Sequence, residues 1–332
     1  MNNLIEKIKD LIEYERQNNP DIQHVNTSHA NLIAQIIGNY KLSQTPKTDS
    51  IPSAKMIYLA APTGAGKDTL ARKIMADNKS ANFVVLNMDM FRHYHQEITG
   101  ENEPILDKDY ASVTNQSSYE LYYLVQELLL REFPGTNIIV TGTMRDLDWV
   151  REIAERYRFE KRSKYSTTLV TLAVPIAESA FSIFERYLRM VKIRDNSTPL
   201  RYTDLKYHND TVKKFEENLG ILESEFKQDP ENSLFDSIQV YRRSQNILDL
   251  SEDTIIYNSD NKEPNKSALS CVHKVMHSLY VISPKRTSGL LEIAKANKDY
   301  LKSQGLFKSI LVNLKQIISK EDDKSEPDIE FE

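Results

Sequence analysis

Hydrophobic residues recur along this chain with two spacings, one typical of strands and one typical of helices. Six short apolar runs are mostly continuous rather than alternating, as in strands that are buried on both faces of a sheet. The runs cover residues 56–60, 83–87, 137–141, 167–174, 238–241 and 254–257. In most of the stretches between these runs, the hydrophobic residues recur with the spacing of a helix. This alternation predicts an α/β fold, with a mostly parallel sheet flanked by helices on both faces.

Helical spacing continues beyond the sheet at both ends of the chain. We expect a helical N-terminal extension over residues 1–50, a core over 51–265, a helical C-terminal extension over 266–320 and a disordered charged tail over 321–332. The apolar stripes of the N-terminal extension fit either a cover for the core or a partner-binding face.

Two polar stretches carry no clear periodicity. Residues 41–53 contain two prolines and are interpreted as a linker into the first core strand, and residues 96–118 as an irregular substrate loop.

Composition narrows the class of protein. The chain has 332 residues and a formal net charge of −5, which argues against a nucleic-acid-binding surface as its main feature. The single cysteine, Cys271, excludes an intrachain disulfide and is typical of a reducing compartment. No apolar run has the length of a membrane span, and the first residues lack the pattern of a signal peptide. We therefore expect a soluble, cytoplasmic protein without membrane insertion.

The first predicted strand runs into a helix through a glycine-rich loop that reads APTGAGKDT over residues 61–69. This context is the one that a phosphate-binding P-loop of pattern G-x-x-x-x-G-K-[ST] requires. In such a loop, backbone N–H groups and the helix N-terminus hold the phosphates while the lysine reaches the terminal ones. The residues expected to bind the nucleotide are Thr63, Gly64, Ala65, Gly66, Lys67, Asp68 and Thr69.

Two positions of the loop depart from that pattern. Ala61 stands where the first glycine belongs, and Asp68 replaces the hydroxyl residue that binds magnesium. Thr69 follows one residue later. We expect Asp68 and Thr69 to be the magnesium ligands, since both offer oxygen atoms.

Further candidate residues follow the next strands. Asp89 comes directly after the second strand and Arg145 after the third, and the carboxyl ends of parallel strands form the ligand-binding edge of an α/β sheet. Asp89 also fits the N-cap of a helix, a role for which Asp146 is the natural candidate in its own segment. Basic residues then concentrate over 186–201, on a helix, a break at 194–199 and a second helix. They form either a solvated face or a lid over phosphates.

The C-terminal extension places Cys271, His273 and His277 close together in sequence. A complete zinc site needs further ligands at suitable spacing, and the sequence offers none nearby. We therefore interpret these residues as packing residues.

Five motifs, taken in order over about residues 30–260, resemble the zeta-toxin family of P-loop kinases, the toxin halves of bacterial epsilon/zeta toxin–antitoxin systems. The matches are Gly66-Lys67 of the P-loop, Asp89, Phe91, Arg92 and His95 of D-x-[FL]-[RK]-x-x-H-P, Gly142, Thr143 and Arg145 of E-G-T-x-R, Glu185-Arg186-Tyr187 of E-R-Y, and Arg201, Thr203 and His208 of R-x-T-x-x-x-x-H. Gln96 replaces the proline of the second motif and Thr141 the glutamate of the third. Glu120 is similar to a family glutamate before the third strand, and Arg243 to an arginine near the family's adenine pocket.

The resemblance implies a kinase that uses ATP and Mg²⁺ to phosphorylate a hydroxyl of UDP-N-acetylglucosamine in the bacterial cytoplasm, with a small helical antitoxin protein as partner. Asp89 would be the general base, Lys67 would bridge the β- and γ-phosphates, and Arg186 and Arg201 would clamp the transferred phosphoryl group. The implied acceptor-side residues, besides Asp89, are Arg92, His95, Glu120, Thr143 and Arg145.

Two alternatives stay open. The Gly-Lys-Asp-Thr sequence of the loop, and the threonine at position 141 in place of the family's glutamate, also fit a kinase of another small acceptor, such as a nucleotide. The P-loop departures also fit a nucleotide-binding regulator that contacts partners through 1–50 and 266–320. The enzyme is favoured because a pure binding module has no need of a base with converging cations.

Overall fold

The computed structural model describes residues 2–40, 42, 54–78, 83–159, 165–194, 200–243, 255–261, 266–278, 280 and 282–322. Three predicted segments lie almost wholly outside the described residues: the linker 41–53, the break 194–199 and the tail 321–332. Within them, the structure describes only Leu42, Arg194 and the first two residues of the tail.

One sheet forms the centre of the molecule. Its strands are β1 (Ala54–Ala60), β2 (Phe83–Leu86), β3 (Asn137–Gly142), β4 (Tyr165–Ala173), β5 (Ser237–Arg242) and β6 (Ile255–Asn258). Their order is β2-β3-β1-β4-β5-β6, and all neighbouring pairs are parallel except β5 and β6. The six strands predicted from the sequence and the mostly parallel α/β fold are confirmed. Since β1 lies between β3 and β4, its carboxyl end emerges where the strand order reverses, which is where such sheets bind ligands.

The helices surround this sheet. They are α1 (Asn2–Asn18), α2 (Ala30–Asn39), α3 (Lys67–Asp77), α4 (His95–Thr99), α5 (Tyr110–Val113), α6 (Asn115–Glu132), α7 (Leu147–Arg158), α8 (Ile176–Ile193), α9 (Leu205–Gln228), α10 (Ala268–Met276), α11 (Pro284–Ala296), α12 (Lys298–Ser303) and α13 (Phe307–Asp322). The prediction of an irregular stretch over residues 96–118 was wrong, because this range contains α5, most of α4 and the start of α6. Helices of four or five residues are too short to show a period in the sequence.

Two hydrophobic clusters hold the outer helices. Apolar residues of α1 and α2, such as Ile12 and Ile33, belong to the same buried cluster as the central strands and α6. The N-terminal helices are therefore cover for the core. A second cluster joins α8 to α11, α12 and α13 through residues such as Phe184, Leu301 and Ile310. The C-terminal helices thus pack on α8, which carries the basic residues noted above.

The loop after β1 contacts the beginning of α8, which in turn contacts the beginning of α9. A Cβ atom added at Gly64 would collide with the carbonyl oxygen of Ser179, so this position requires glycine. The Ser179 hydroxyl lies 2.9 Å from Nε2 of the buried His208. Burial lowers the pKa of His208 to about 4, and the positive charge of Lys67 acts in the same direction. The glycine-rich loop, α8 and α9, which bear candidate residues, are therefore held together by contacts between uncharged groups.

Candidate active site at the end of the central strand

The glycine-rich loop leaves β1 at Ala60 and becomes α3 at Lys67. Gly64 and Gly66 have φ angles of 80° and 98°, in the left-handed region that favours glycine. The Lys67 ammonium group folds back across the loop and donates hydrogen bonds to the carbonyl oxygens of Ala61 (2.8 Å) and Pro62 (3.1 Å). The backbone therefore has the shape of a P-loop despite Ala61 at its first position.

Positive charge converges on this loop. Burial, opposed by the charge of Asp68 and reinforced by the charges of Arg201 and Arg186, lowers the pKa of Lys67 to about 7. Two guanidinium groups close enough to lower the pKa of a lysine form, together with it, a site of high positive potential, which an anion of several charges neutralises. The arrangement is that of a polyphosphate site.

The residues present fit a hard divalent cation through Asp68. This carboxylate lies on the first turn of α3 and interacts electrostatically with Lys67, Arg186 and Arg201, so it shares the phosphate side of the loop. Carboxylate oxygen is a preferred magnesium ligand. The Thr69 hydroxyl instead lies 3.4 Å from Nη2 of Arg72.

Asp89 occupies the boundary between this loop and a neighbouring cavity. Its carboxylate accepts a hydrogen bond from Nε of Arg92 at 2.8 Å through one oxygen and one from Nη1 of Arg201 through the other. The N-cap of its 3-10 helix is Asn87, whose side chain accepts from the Asp89 N–H at 2.9 Å. The capping role considered for Asp89 therefore belongs to Asn87, and Asp89 is left to the two guanidinium groups.

The two arginines that contact Asp89 differ in how many of their donor groups are already hydrogen-bonded. Arg92 is buried, and its Nη1 donates to the Ala111 carbonyl at 2.6 Å and to the Thr114 hydroxyl at 3.0 Å. It is therefore a fixed partner. Arg201 has a buried Nε with no hydrogen-bond partner among the described residues. Arg201 thus keeps a donor for an anion besides Asp89.

The cavity beside Asp89 has a volume of about 640 Å³. It is lined by Asp89, Arg92, Tyr110, Arg186, Tyr187, Met190, Ile193, Arg194, Leu200 and Arg201. The lining combines four arginines with one carboxylate, and aromatic and aliphatic side chains form the remaining wall. This lining suits a molecule with anionic groups and a flat or apolar part.

The turn after β3 is held in an unusual conformation. A Cβ atom at Gly142 would collide with the Tyr58 hydroxyl, and Met144, two residues later, has a φ angle of 53°. Asn218 of α9 donates to the carbonyl oxygens of Met144 (2.8 Å) and Arg145 (3.2 Å), which stabilises this turn. Half-buried Thr143 lies within it. A left-handed non-glycine residue costs about 1–3 kcal/mol and persists only where its surroundings enforce it.

Arg145 itself is directed toward α9. Its Nε donates to Asp210 at 2.6 Å, and its guanidinium group lies 4.8 Å from the centre of the Tyr207 ring. Arg145 is not among the residues that line the cavity. Its predicted acceptor-binding role stays a prediction.

Two other predicted acceptor residues are engaged elsewhere. Glu120 is fully buried, and one of its oxygens accepts from the N–H groups of His24 and Val25, both at 2.8 Å. His95 is buried against the Ser117 hydroxyl at 2.9 Å. Neither lines the cavity. Near the end of β3, the buried Thr141 hydroxyl has no hydrogen-bond partner among the described residues.

Arg243 lies against the outer side of the glycine-rich loop. Its Nη1 donates to the carbonyl oxygens of Gly64 (3.3 Å) and Ala65 (3.4 Å), and its Nη2 forms an ion pair with Glu178 at 3.4 Å. Glu178 also accepts from Arg286 of α11 at 2.8 Å. A continuous chain of ion pairs therefore connects the C-terminal helices to the loop.

Asp107 is a residue that sequence reasoning missed. It is buried, and its carboxylate accepts hydrogen bonds from the hydroxyls of Tyr187 and Tyr300 at 2.6 Å each and from the Leu200 N–H at 2.8 Å. Tyr187 follows Arg186 and Leu200 precedes Arg201 in the chain. One carboxylate thus fixes the backbone beside both arginines. These partners are 80, 93 and 193 residues away in sequence, so no local signal reveals the contact.

Among the described residues, no helix combines the length and the hydrophobicity that a membrane crossing requires.

A comparison with curated proteins gives no match. Among solved structures, the fold is similar to that in the "molecular and structural characterization of the PezAT chromosomal toxin-antitoxin system of the human pathogen Streptococcus pneumoniae", with a TM-score of 0.55, 19% identity and coverage of 85% of this chain and 98% of the other. It is also similar to the AvrRxo1-ORF1:AvrRxo1-ORF2 structure with sulphate ions, with a TM-score of 0.50, 15% identity and coverage of 92% and 93%.

The sequence model of the zeta toxin family matches residues 39–261, about two-thirds of the chain. This range agrees with the span over which the five motifs resemble that family. The match includes the loop, Asp89, Arg186 and Arg201, and it ends before the C-terminal helices. The chain therefore belongs to the zeta toxin family of P-loop kinases.

Proposed function

We propose that this protein is a kinase that transfers the γ-phosphoryl group of ATP to a hydroxyl of a nucleotide-activated sugar of the UDP-N-acetylglucosamine type. The observation that carries the proposal is the position of Asp89. Its carboxylate contacts Arg201, whose charge acts on Lys67 of the loop, and it also lines the acceptor-sized cavity. A donor site and an acceptor site therefore meet at one carboxylate.

Lys67, Arg186 and Arg201 supply the donor half. Phosphoryl transfer depends mainly on positioning and on neutralising charge that spreads over the phosphoryl oxygens. An arginine in this role contributes on the order of 10³-fold or more to the rate. When bound, Mg²⁺ neutralises further phosphate charge, and Asp68 is the residue that would hold it.

Asp89 supplies the base. Arg92 remains on one carboxylate oxygen because it is fixed by Ala111 and Thr114, and this contact orients the group toward the cavity. Arg201 covers the other oxygen. When Arg201 turns to the phosphoryl group, the uncovered oxygen accepts the proton of the attacking hydroxyl. Orientation and a neighbouring cation give a weak carboxylate base its value.

A nucleotide is the second candidate acceptor. The four arginines and the aromatic wall of the cavity suit phosphates and a flat ring equally well. Two observations favour it over the sugar: Thr141 replaces the family's glutamate, and Glu120 is engaged by the backbone of residues 24 and 25. The two glutamate contacts implied by the family's motifs are therefore not expected here, while Asp89 and Arg92 of those motifs line the cavity.

We further infer that a small antitoxin protein binds this chain in a bacterial cytoplasm. The Streptococcus pneumoniae structure is described as a toxin–antitoxin system, and the shared family carries that expectation to this chain.

The acceptor is tested by incubating the full chain with ATP, Mg²⁺ and a panel of UDP-sugars, nucleotides and dinucleotides, followed by mass spectrometry. We expect one class to gain a single phosphate. Asp89→Asn should lower the turnover by about 10²- to 10⁴-fold, because the base is lost, while ATP binding stays within a few-fold. Asp148→Asn, on an exposed position, is the control. No phosphorylated product across the panel, or unchanged turnover in Asp89→Asn, would contradict the proposal.

The pKa of Lys67 gives a second prediction, about ATP binding. With a pKa of about 7 without nucleotide, Lys67 is mostly neutral at pH 8, and a bound triphosphate raises its pKa. Binding should therefore take up about one proton at pH 8, and the affinity should fall as the pH rises above 7. Calorimetric titration in Tris and in HEPES, which differ in ionisation enthalpy, measures this uptake. Lys67→Arg, always charged, should bind without it. Equal uptake in both proteins would exclude Lys67 as its source.

Asp107 gives the third prediction. Asp107→Asn keeps the shape but removes the charge that receives three hydrogen bonds, and it should lower kcat by about 10²-fold because Arg186 and Arg201 lose their placement. The affinity for ATP should change less, since Lys67 and the loop are untouched. Tyr300→Phe, which removes one donor, should have a smaller effect in the same direction. A loss explained wholly by the unfolded fraction in thermal melting would refute the positioning role.

A further inference from the structure

His273 and His277 lie four residues apart, at the end of α10 and on its C-cap. This spacing places both imidazoles on one side of the helix, and their ring centres are 4.1 Å apart. The sequence near them offers no further ligand. The third group comes from another helix, 57 residues earlier in the chain.

That group is Glu216 of α9. Its carboxylate lies 2.9 Å from Nδ1 of His273 and 3.2 Å from Nε2 of His277, and one donor atom from each of the three residues lies within 4.8 Å of the others. Around a tetrahedral zinc ion, with bonds of about 2.0–2.2 Å, neighbouring ligand atoms are roughly 3.3 Å apart. The three donor atoms therefore fit around one ion with only small side-chain adjustments.

The helices that carry these groups are fixed by contacts that do not involve them. Glu223, two turns after Glu216 on α9, accepts hydrogen bonds from the N–H groups of Ala268 (2.8 Å) and Leu269 (2.9 Å) at the start of α10. The side chain of Ser267 caps the same helix. Val272 and Met276 are buried on its inner face. The ligand set is thus preorganised, which lowers the cost of binding an ion.

Electrostatic attraction among these three residues adds little to the stability of the fold. His273 and His277 have side-chain exposures of 63% and 44%, and exposed contacts of this kind contribute little to the stability of a protein. Two imidazole nitrogens and one carboxylate oxygen are, in contrast, the donors of three-ligand zinc sites that keep a fourth position open. An ion bound among these donor atoms would replace the direct contacts between the imidazoles and the carboxylate.

We propose that Glu216, His273 and His277 bind one divalent transition-metal ion of the zinc type, with an open fourth position. An adjoining surface pocket lined by Glu217, Ser267 and Ser270 has room for water or an added ligand at that position. The ion would connect α10 to α9, the helix that begins four residues after Arg201. This site is separate from the proposed kinase site and does not depend on the kinase activity.

Zinc chloride titrated calorimetrically into the full chain, after removal of metals by a chelator, tests the proposal. We expect one equivalent to bind with a Kd in the micromolar range or tighter, and cobalt to give the visible absorption of a nitrogen- and oxygen-ligated ion. Magnesium should not bind at this site, because imidazole prefers transition metals. Zinc should also raise the melting temperature of the protein, since it binds the folded chain.

Variants then identify the ligands. Glu216→Gln, His273→Ala and His277→Ala should each weaken zinc binding at least tenfold and lose the zinc-dependent rise in melting temperature. Without zinc their melting should resemble that of the parent, because the two histidines are exposed. Cys271→Ser and His93→Ala are the controls and should bind normally. Binding unchanged in the three ligand variants, loss in Cys271→Ser, or no saturable binding would overturn the proposal.

Discussion

The concentration of positive charge at the carboxyl edge of the sheet is the constraint on which the rest of the site depends. Arg186 and Arg201 lower the pKa of Lys67 by their charge, and repulsion between such close cations has to be offset by acidic groups nearby. Asp89 offsets this repulsion at the cavity, where its carboxylate accepts hydrogen bonds from Arg92 and Arg201. Asp68 does the same beside the loop. The carboxylates that balance these cations are thus those proposed to act in catalysis and magnesium binding.

The same constraint explains why α8 is held from several directions. Its start packs on the loop at Gly64, where no side chain fits. Arg286 of α11 donates hydrogen bonds to Glu178 and Glu185 of α8, and Asp107 accepts one from the Tyr187 hydroxyl. A clamp arginine gains from such support because a displaced guanidinium group neutralises the wrong atoms. The C-terminal helices, which lie outside the matched family range, therefore contribute to the placement of Arg186.

The sequence predicted the features that have a local signature. Continuous apolar runs revealed all six strands, and the glycines with Lys67 revealed the loop, because each depends on the residues next to it. Asp89 was placed at the sheet edge by topology. Asp107 and Glu216 were missed because their roles arise from partners far away in the chain. Glu120 resembles a family residue in position, yet its carboxylate serves the N-terminal segment. Local pattern cannot reveal which distant group reaches a carboxylate.

The central claim is that Asp89 joins the donor and acceptor halves of one phosphoryl-transfer site. A crystal structure of the full chain with a non-hydrolysable ATP analogue and Mg²⁺ tests it most directly. The account predicts that the γ-phosphate contacts Lys67, Arg186 and Arg201, while Asp89 keeps Arg92 and turns its other oxygen to the cavity. A γ-phosphate remote from Arg201, with Arg201 still on Asp89, would contradict the account.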